Sequence, residues 1–174
     1  MSDVSRLRAA IRDVPDFPKP GIVFKDITPV LADGALFRES ITQFVQQLDG
    51  LGVQKVAGID ARGFIFGAAL AYELGVGFVP IRKKGKLPWS THSAAYELEY
   101  GEAVVEMHID GVQKGERVVL IDDVLATGGT AAAALRLLEA CGADVVAVQF
   151  FAELEFLEGR KKLGSARIDS LLKF

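Results

Sequence analysis

The sequence has little of the chemistry that marks disulfide-stabilised, zinc-binding or membrane-spanning proteins. Its one cysteine, Cys141, cannot form a disulfide within the chain, and no CxxC pair or HExxH motif indicates zinc. No uninterrupted apolar run reaches the roughly 18 residues that a membrane-spanning helix needs. The first residues also lack the apolar core of a signal peptide. We therefore expect a cytoplasmic protein with no membrane segment and no structural zinc.

Further absences narrow the function. The net charge is −3, which argues against general affinity for nucleic acid. The G-x-x-x-x-G-K pattern followed by Ser or Thr does not occur, so ATP hydrolysis by a P-loop is not expected. The chain of 174 residues has no repeat, low-complexity tract or linker, and it is long enough to bury a core. We expect a single domain over residues 1–174.

The most informative stretch is VVLIDDVLATGGT, residues 118–130. It opens with an apolar, β-branched run that suits a strand buried on both faces. Two carboxylates, Asp122 and Asp123, come next, and a loop of small and hydroxyl residues leads to an Ala-rich segment with high helix propensity. The N–H groups and dipole of a helix N-terminus suit a phosphate, and carboxylates accept hydrogen bonds from sugar hydroxyls. We interpret the stretch as a cradle for ribose and phosphate.

Strand and helix patterns alternate from about residue 55 to residue 151. This alternation predicts a parallel sheet with helices on both faces and right-handed crossovers. Arg62, the basic cluster RKKGK at residues 82–86, and the acidic pair each follow a predicted strand. Because ligands bind beyond the carboxyl ends of such strands, we expect these groups to converge on one edge of the sheet.

Segments outside this alternation have less regular patterns. Residues 2–14 are predicted as a short amphipathic helix that Pro15 ends, and Asp33 is predicted to cap a later helix. Residues 16–27 begin with prolines and a glycine and then turn extended and apolar. Residues 87–100 lack clean periodicity, which predicts a long functional loop such as an active-site lid.

Residues 118–130 resemble the phosphoribosyl-diphosphate (PRPP) binding motif of type I phosphoribosyltransferases. Other blocks, in the same order over nearly the whole chain, resemble the adenine phosphoribosyltransferase family. These blocks are residues 16–27, ARGF at 61–64, IRK at 81–83, GKLP at 85–88, SAAYELEYG at 93–101 and LEGRKKL at 157–163. The resemblance implies the type I α/β fold, with a twisted, mainly parallel sheet and helices on both faces. It also implies an N-terminal hood (about residues 1–32), a core (about 33–174) and a flexible catalytic loop (about 84–103).

The resemblance implies an activity as well. Family members join adenine to the ribose of PRPP, giving AMP and diphosphate, and they need Mg²⁺ and are commonly homodimers. By this resemblance Asp122 and Asp123 hold the ribose hydroxyls, whereas Arg62, Lys83 and Lys86 meet the diphosphate. The 5′-phosphate is expected on Ala126, Thr127, Gly128, Gly129 and Thr130. Mg²⁺ is expected to be held mainly by PRPP, diphosphate and water, with no protein ligand assigned.

Three residues are expected to take part in catalysis. The resemblance places Glu99 and Tyr100 on the loop that closes over the site, with Glu99 as the general base, and Arg62 beside the leaving diphosphate. A glutamate that only orders the loop is the alternative for Glu99. Val23, Phe24 and Lys25 are expected beside adenine in the hood. Lys25 departs from the arginine that is frequent in the family, and it lacks the planar fork of a guanidinium.

Two other functions remain open from the sequence. A phosphoribosyltransferase for xanthine or for guanine and hypoxanthine would share the PRPP site and differ in the hood and the loop. A non-catalytic PRPP-binding transcription regulator would typically add a DNA-binding domain and a basic face, whereas this chain is net acidic.

Overall fold

The computed structural model describes residues 4–97 and 102–174. The chain divides into two compact units, Met1–Gln43 and Phe44–Phe174. Within the described ranges, none of the helices combines the length and the apolar character that crossing a membrane requires.

The first unit contains a small antiparallel sheet. It pairs β1 (Arg12–Pro15) with β2 (Val23–Asp26), between α1 (Ser5–Ala10) and α2 (Thr28–Ala32). The helix predicted over residues 2–14 is therefore too long. Pro15 disfavours a helical backbone at the residue before it, and residues 12–15 form the ladder with β2 instead.

Asp33 caps α3 (Gly34–Gln47), as predicted. Its Oδ1 accepts hydrogen bonds from the N–H groups of Ala35 and Leu36, at 2.8 and 3.1 Å. These bonds satisfy donors that would otherwise have no partner at a helix N-terminus, which explains why the helix begins here.

The second unit is built on a seven-stranded sheet with the order β5-β6-β4-β3-β7-β8-β9. Neighbouring strands are parallel from β4 to β9, and β6 and β5 add an antiparallel edge. The predicted, mainly parallel sheet is confirmed. The strands are β3 (Lys55–Ile59), β4 (Gly77–Lys83), β5 (Thr91–Glu97), β6 (Glu102–His108), β7 (Arg117–Leu125), β8 (Asp144–Glu153) and β9 (Ile168–Lys173).

Helices cover both faces of this sheet. Gly67 of α4 (Arg62–Leu74) packs so closely that a Cβ there would lie 3.1 Å from Ile121 Cγ2. The alanines and leucines of α5 (Gly129–Ala140) share one buried cluster with Leu120, the preceding residue of β7. Since successive strand residues point to opposite faces, α4 and α5 lie on opposite sides of the sheet.

Two strands continue into the polar residues that the sequence places after their apolar runs. β7 continues through the acidic pair to Leu125, because β8 stays paired with it as far as Glu153. β4 reaches Lys83 because Arg82 and Lys83 pair with β6. In both cases the backbone of polar residues stays paired with the neighbouring strand, which their side-chain pattern does not indicate.

The long loop predicted over residues 87–100 is wrong for residues 91–97, which form β5. This strand lies at the sheet edge and pairs only with β6 among the described strands. Buried and exposed side chains do not alternate regularly along residues 91–96, so periodicity did not indicate this strand. Closure of the predicted catalytic loop over a substrate stays a prediction.

Candidate active site

Groups from five adjacent strands, β5, β6, β4, β3 and β7, meet at the edge of the sheet where its parallel strands end. They enclose a cleft of about 400 Å³. Its lining residues are Ile59, Asp60, Ala61, Arg62, Ile81, Lys83, Tyr96, Val105, Asp122, Asp123, Val124 and Thr130. The convergence predicted from strand order is therefore confirmed for Arg62, Lys83 and the acidic pair, although these residues are far apart in the sequence.

The acidic pair forms one wall of the cleft. The N–H of Asp123 donates to Asp122 Oδ1 at 2.9 Å, which fixes the first carboxylate against the backbone. Asp123 is buried, with 5% of its surface exposed. Burial and the charge of Asp123 raise the pKa of Asp122 well above its usual value. Burial also raises the pKa of Asp123, and the positive charge of Arg62 opposes that rise.

Arg62 faces Asp123 at the start of α4. Its Nε lies 2.6 Å from Asp123 Oδ2, but the N–H is not aligned for a hydrogen bond. Within the described ranges, no group donates a hydrogen bond to this buried oxygen. A buried carboxylate oxygen without a donor is uncommon and costs free energy, so this oxygen is a candidate acceptor for a ligand hydroxyl.

The approach of α4 to β7 depends on Gly63. A Cβ at this position would lie 2.8 Å from Asp122 Oδ1 and 3.0 Å from the Ile121 carbonyl oxygen. Only a residue without a side chain lets the helix start this close to the acidic pair. The glycine therefore sets the separation between Arg62 and the carboxylates.

The predicted phosphate loop connects β7 to α5. Residues 124–131 and Asp122 enclose a pocket of about 90 Å³ there. Gly128 has φ +79°, a left-handed conformation that favours glycine, and α5 begins at Gly129. The first N–H groups of this twelve-residue helix have no partners within the helix, and they lie at the positive end of its dipole. This arrangement is suited to an anion.

The residues of the basic cluster at 82–86 have different positions and contacts. Lys83 lines the cleft, and Lys86 does not. Arg82 is held instead by its neighbours, since Nε donates to Asp60 Oδ2 at 2.8 Å and Nη1 donates to the Lys86 carbonyl at 2.9 Å. These two bonds join the segment that follows β3 to the turn that follows β4. Arg82 therefore orders the cationic side of the cleft.

The remaining predicted residues belong to the first unit or fall outside the described residues. Val23, Phe24 and Lys25 belong to β2 in the first unit, where Lys25 Nζ donates to Asp13 Oδ1 at 2.7 Å. Glu99 and Tyr100 lie outside the described residues. Their catalytic roles, and the adenine contacts of β2, stay predictions.

Three residues at the site were not predicted from sequence. Asp60 places a carboxylate directly after β3, and this position in the sequence could have marked it as a site residue. Tyr96 is buried in the cleft wall, but its segment had been predicted as a loop. Glu106 is buried on β6 and accepts a hydrogen bond from the Gly85 N–H at 2.9 Å, beneath the basic turn. No sequence signal indicated that contact, because it depends on strand register.

The cleft was tested for a metal site. In the part of the chain that the structure describes, no three acidic, histidine or cysteine side chains come together as ligands. Asp122 and Asp123 nevertheless offer two adjacent carboxylates. Mg²⁺ usually keeps several waters and binds through one or two carboxylates plus substrate phosphates. Asp122 and Asp123 are therefore compatible with a Mg²⁺ ion that takes most of its ligands from a bound polyphosphate and water.

Comparison with known proteins identifies the family and the fold. Residues 30–161 match the phosphoribosyl transferase domain family. The chain is 58% identical to an adenine phosphoribosyltransferase of Anaeromyxobacter dehalogenans over 168 residues, which cover 97% of this chain and 98% of that protein.

Solved structures of adenine phosphoribosyltransferases have the same fold. That from Thermoanaerobacter pseudethanolicus superposes with a TM-score of 0.95 at 53% identity, covering 98% of this chain and 99% of the other. The enzyme from Saccharomyces cerevisiae, in complex with an imino-altritol bisphosphate and adenine, gives a TM-score of 0.92 at 40% identity, covering 95% and 96%. With the family match, these identities over nearly the full length show that the chain belongs to the adenine phosphoribosyltransferases, within the phosphoribosyl transferase domain family.

Proposed function

We propose that this protein transfers the 5-phosphoribosyl group of PRPP to adenine and releases AMP and diphosphate. The observation that carries the proposal is the cleft, where a helix N-terminus, two carboxylates and two cations share one edge of the sheet. The S. cerevisiae relative, whose structure contains adenine, supports the choice of base.

The β7–α5 segment is proposed to hold the phosphoribosyl half of PRPP. The N–H groups from Ala126 to Thr130 surround a pocket of about 90 Å³, which suits the 5′-phosphate. Asp122 and Asp123 adjoin that pocket and accept hydrogen bonds from the 2′ and 3′ hydroxyls. The Asp123 oxygen that has no donor among the described residues supports this assignment.

The cationic side is proposed to take the diphosphate. Arg62 and Lys83 line the cleft, and Lys86 lies on the turn that Arg82 orders. Their positive charges stabilise the negative charge that gathers on diphosphate as it leaves C1′. When bound, Mg²⁺ would supply further positive charge to the diphosphate oxygens.

The acidic pair is proposed to stabilise the opposite charge on the sugar. Positive charge develops on the ribose ring as the bond from C1′ to diphosphate breaks, and nearby carboxylates favour that state. In the protein alone, burial raises the pKa of both aspartates. Hydroxyl donors and positive charge in the substrate complex favour their ionised forms, so substrate binding and ionisation support each other.

Adenine N9 is proposed to attack C1′ as diphosphate leaves with the bonding electron pair. The proton that the base must lose goes to Glu99, the candidate general base, with Tyr100 on the same loop. Val23, Phe24 and Lys25 are the proposed adenine contacts. Closure of the loop would exclude water, which would otherwise hydrolyse the activated sugar.

A panel of bases tests the proposal. Purified protein is mixed with PRPP and Mg²⁺ and with adenine, guanine, hypoxanthine or xanthine in turn, and nucleotide formation is followed by chromatography. We expect AMP to form much faster than any other nucleotide. Preference for a 6-oxopurine would overturn the adenine assignment. PRPP binding without any nucleotide product, together with DNA binding, would favour a regulator.

We also propose that the protein acts as a homodimer in the cytoplasm. The support for both statements is membership of the family, together with the single cysteine, which fits a reducing compartment. Sedimentation equilibrium should give twice the chain mass of 18.7 kDa. A monomer that retains full activity would rule out the dimer as the working form.

A further inference from the structure

Beneath the phosphate loop lies a buried charged group that the proposed reaction does not use. Glu153, at the end of β8, is 4% exposed. Arg160 donates two hydrogen bonds to the Glu153 carboxylate, from Nε to Oε1 at 2.9 Å and from Nη2 to Oε2 at 2.6 Å. Ser170 of β9 donates a third hydrogen bond to Oε2 at 2.7 Å. We call these three residues the clamp.

The clamp is tied to the phosphate loop on the β8 side. Glu153 is the partner of Leu125 in the ladder between β8 and β7. The N–H of the next residue, Leu154, donates to the Leu125 carbonyl at 2.9 Å. Leu125 immediately precedes Ala126, the first residue of the loop. The carboxylate therefore sits where β7 ends and the loop begins.

A second tie runs through Gly159, the neighbour of Arg160 in the 3-10 helix Gly159–Leu163. A Cβ on Gly159 would clash with the Ala126 carbonyl oxygen and lie 2.9 Å from the Gly128 nitrogen. A Cβ on Gly128 would in turn clash with the Gly159 carbonyl oxygen. The backbone beside Arg160 thus packs directly against the backbone of the loop.

Arg160 also fixes that short helix to the sheet. Its Nη1 donates to the Ile168 carbonyl, in β9, at 3.0 Å. The planar guanidinium therefore spans the end of β8 and the start of β9 at once, which a lysine could not do with a single ammonium group. With Arg160 in place, Gly159 is held against the loop.

We propose that Glu153 and Arg160 are positioning residues that hold the loop of residues 126–130 in the conformation that binds the 5′-phosphate of PRPP. The inference rests on the proposed function, since it assigns that phosphate to this loop. A cradle of backbone N–H groups binds well only when the groups point at one anion, and small displacements weaken it strongly. The clamp acts through the loop backbone and does not touch the ligand.

The test compares Arg160→Met with Lys161→Met. Lys161 is a matched control because it lies in the same short helix and pairs with Glu158, but its side chain is 73% exposed. Calorimetry measures the binding of ribose 5-phosphate and of diphosphate to each variant and to the unchanged protein. We expect Arg160→Met to weaken ribose 5-phosphate about 10-fold, as a displaced cradle would. Diphosphate should bind as before, because Arg62 and Lys83 are untouched.

Steady-state kinetics add an independent readout. In Arg160→Met the KM for PRPP should rise about 10-fold with little change in kcat, because a misplaced cradle weakens ground state and transition state alike. Arg160→Lys should lie in between, since it keeps the charge and loses the fork. Lys161→Met should match the unchanged protein in all three measurements.

Three results would overturn the proposal. They are unchanged affinity for ribose 5-phosphate, an equal loss for ribose 5-phosphate and diphosphate, and an equal effect of Lys161→Met. If Arg160→Met does not fold, Ser170→Ala, which removes one bond of the clamp, is judged by the same selective loss. Failure of the proposed function is distinguishable, because the unchanged protein would then form no AMP from PRPP and adenine.

Discussion

Two buried carboxylates of the second unit, Asp123 and Glu153, each lie beside an arginine, yet their pKa values shift in opposite directions. Hydrogen bonds from Arg160 and Ser170 hold the pKa of Glu153 below its usual value, against the effect of burial. Burial raises the pKa of Asp123 in spite of the positive charge of Arg62. Burial is the largest effect on the pKa of Asp123, whereas at Glu153 the hydrogen bonds outweigh it.

The two carboxylates also differ in their hydrogen-bond donors. Glu153 receives three side-chain hydrogen bonds, and both of its oxygens are used. Asp123 Oδ2 receives none from the described residues, although Arg62 Nε is 2.6 Å away. A buried carboxylate whose oxygens all accept hydrogen bonds from the protein stabilises the fold. A carboxylate in a cleft with an oxygen that lacks a donor can accept a hydrogen bond from a ligand. Three of the four predictions test this contrast, and the first tests the proposed general base.

The largest effect is expected at Glu99, the proposed proton acceptor. Glu99→Gln should lower kcat by about 10²–10⁴, the usual cost of removing a positioned general base. Affinity for PRPP should change little, because the proposed role concerns the purine. Stopped-flow measurements of AMP formation and titration with PRPP give the two quantities, with the exposed Glu139→Gln as control. Normal turnover would remove Glu99 from the mechanism.

Asp123→Asn should lower kcat/KM by about 10²–10³, as loss of a group that stabilises transition-state charge commonly does. The amide keeps the size of the side chain and removes the charge that is proposed to face the ribose. Glu153→Gln should have a much smaller effect on kcat, since that carboxylate does not line the cleft. Steady-state kinetics of both variants decide the matter. Equal losses in kcat would contradict the division into ligand and structural carboxylates.

For the free energy of unfolding, we expect Glu153→Gln to have the larger effect of the two substitutions. Glu153→Gln should lower the free energy of unfolding by about 1–3 kcal/mol, because it weakens charge-assisted hydrogen bonds that are largely buried. Asp123→Asn should leave it unchanged or raise it, since the ionised carboxylate is buried without full compensation. Urea unfolding at pH 7 provides the comparison. A larger loss in Asp123→Asn would show that the Arg62 contact stabilises the fold after all.

The smallest effects concern pH. The folded pKa of Asp123 lies above its usual 3.8, so its contribution to stability is present below that pH and is lost as pH rises through the folded value. The folded pKa of Glu153 lies below its usual 4.5, so its contribution is present above that pH and is lost as pH falls. From pH 4 to pH 7, Asp123→Asn should therefore gain stability relative to the unchanged protein, and Glu153→Gln should lose it. Parallel curves for both variants would contradict the opposite shifts.

The sequence was sufficient to predict the parallel sheet, the acidic pair and the convergence of Arg62 and Lys83 on one edge. Those predictions depend on local patterns and on the rule that parallel strands end together. It was insufficient for β5, whose pairing with β6 is a long-range backbone contact without a regular side-chain pattern. Glu153 and Arg160 were missed for a similar reason, because their partners come from β8, β9 and a short helix between them. Ion pairs of this kind depend on register, which a single sequence does not reveal.

The contact between Gly128 and Gly159 has a consequence for how this protein can vary. A substitution in a packed core is often rescued by a smaller residue across the contact, because the partner has atoms to give up. Here both partners are already glycines, and the crowding atoms are backbone. A side chain gained at either position therefore has no compensating change at the other. In a mutational library we expect each of the two positions to accept glycine alone, whichever residue stands at the other.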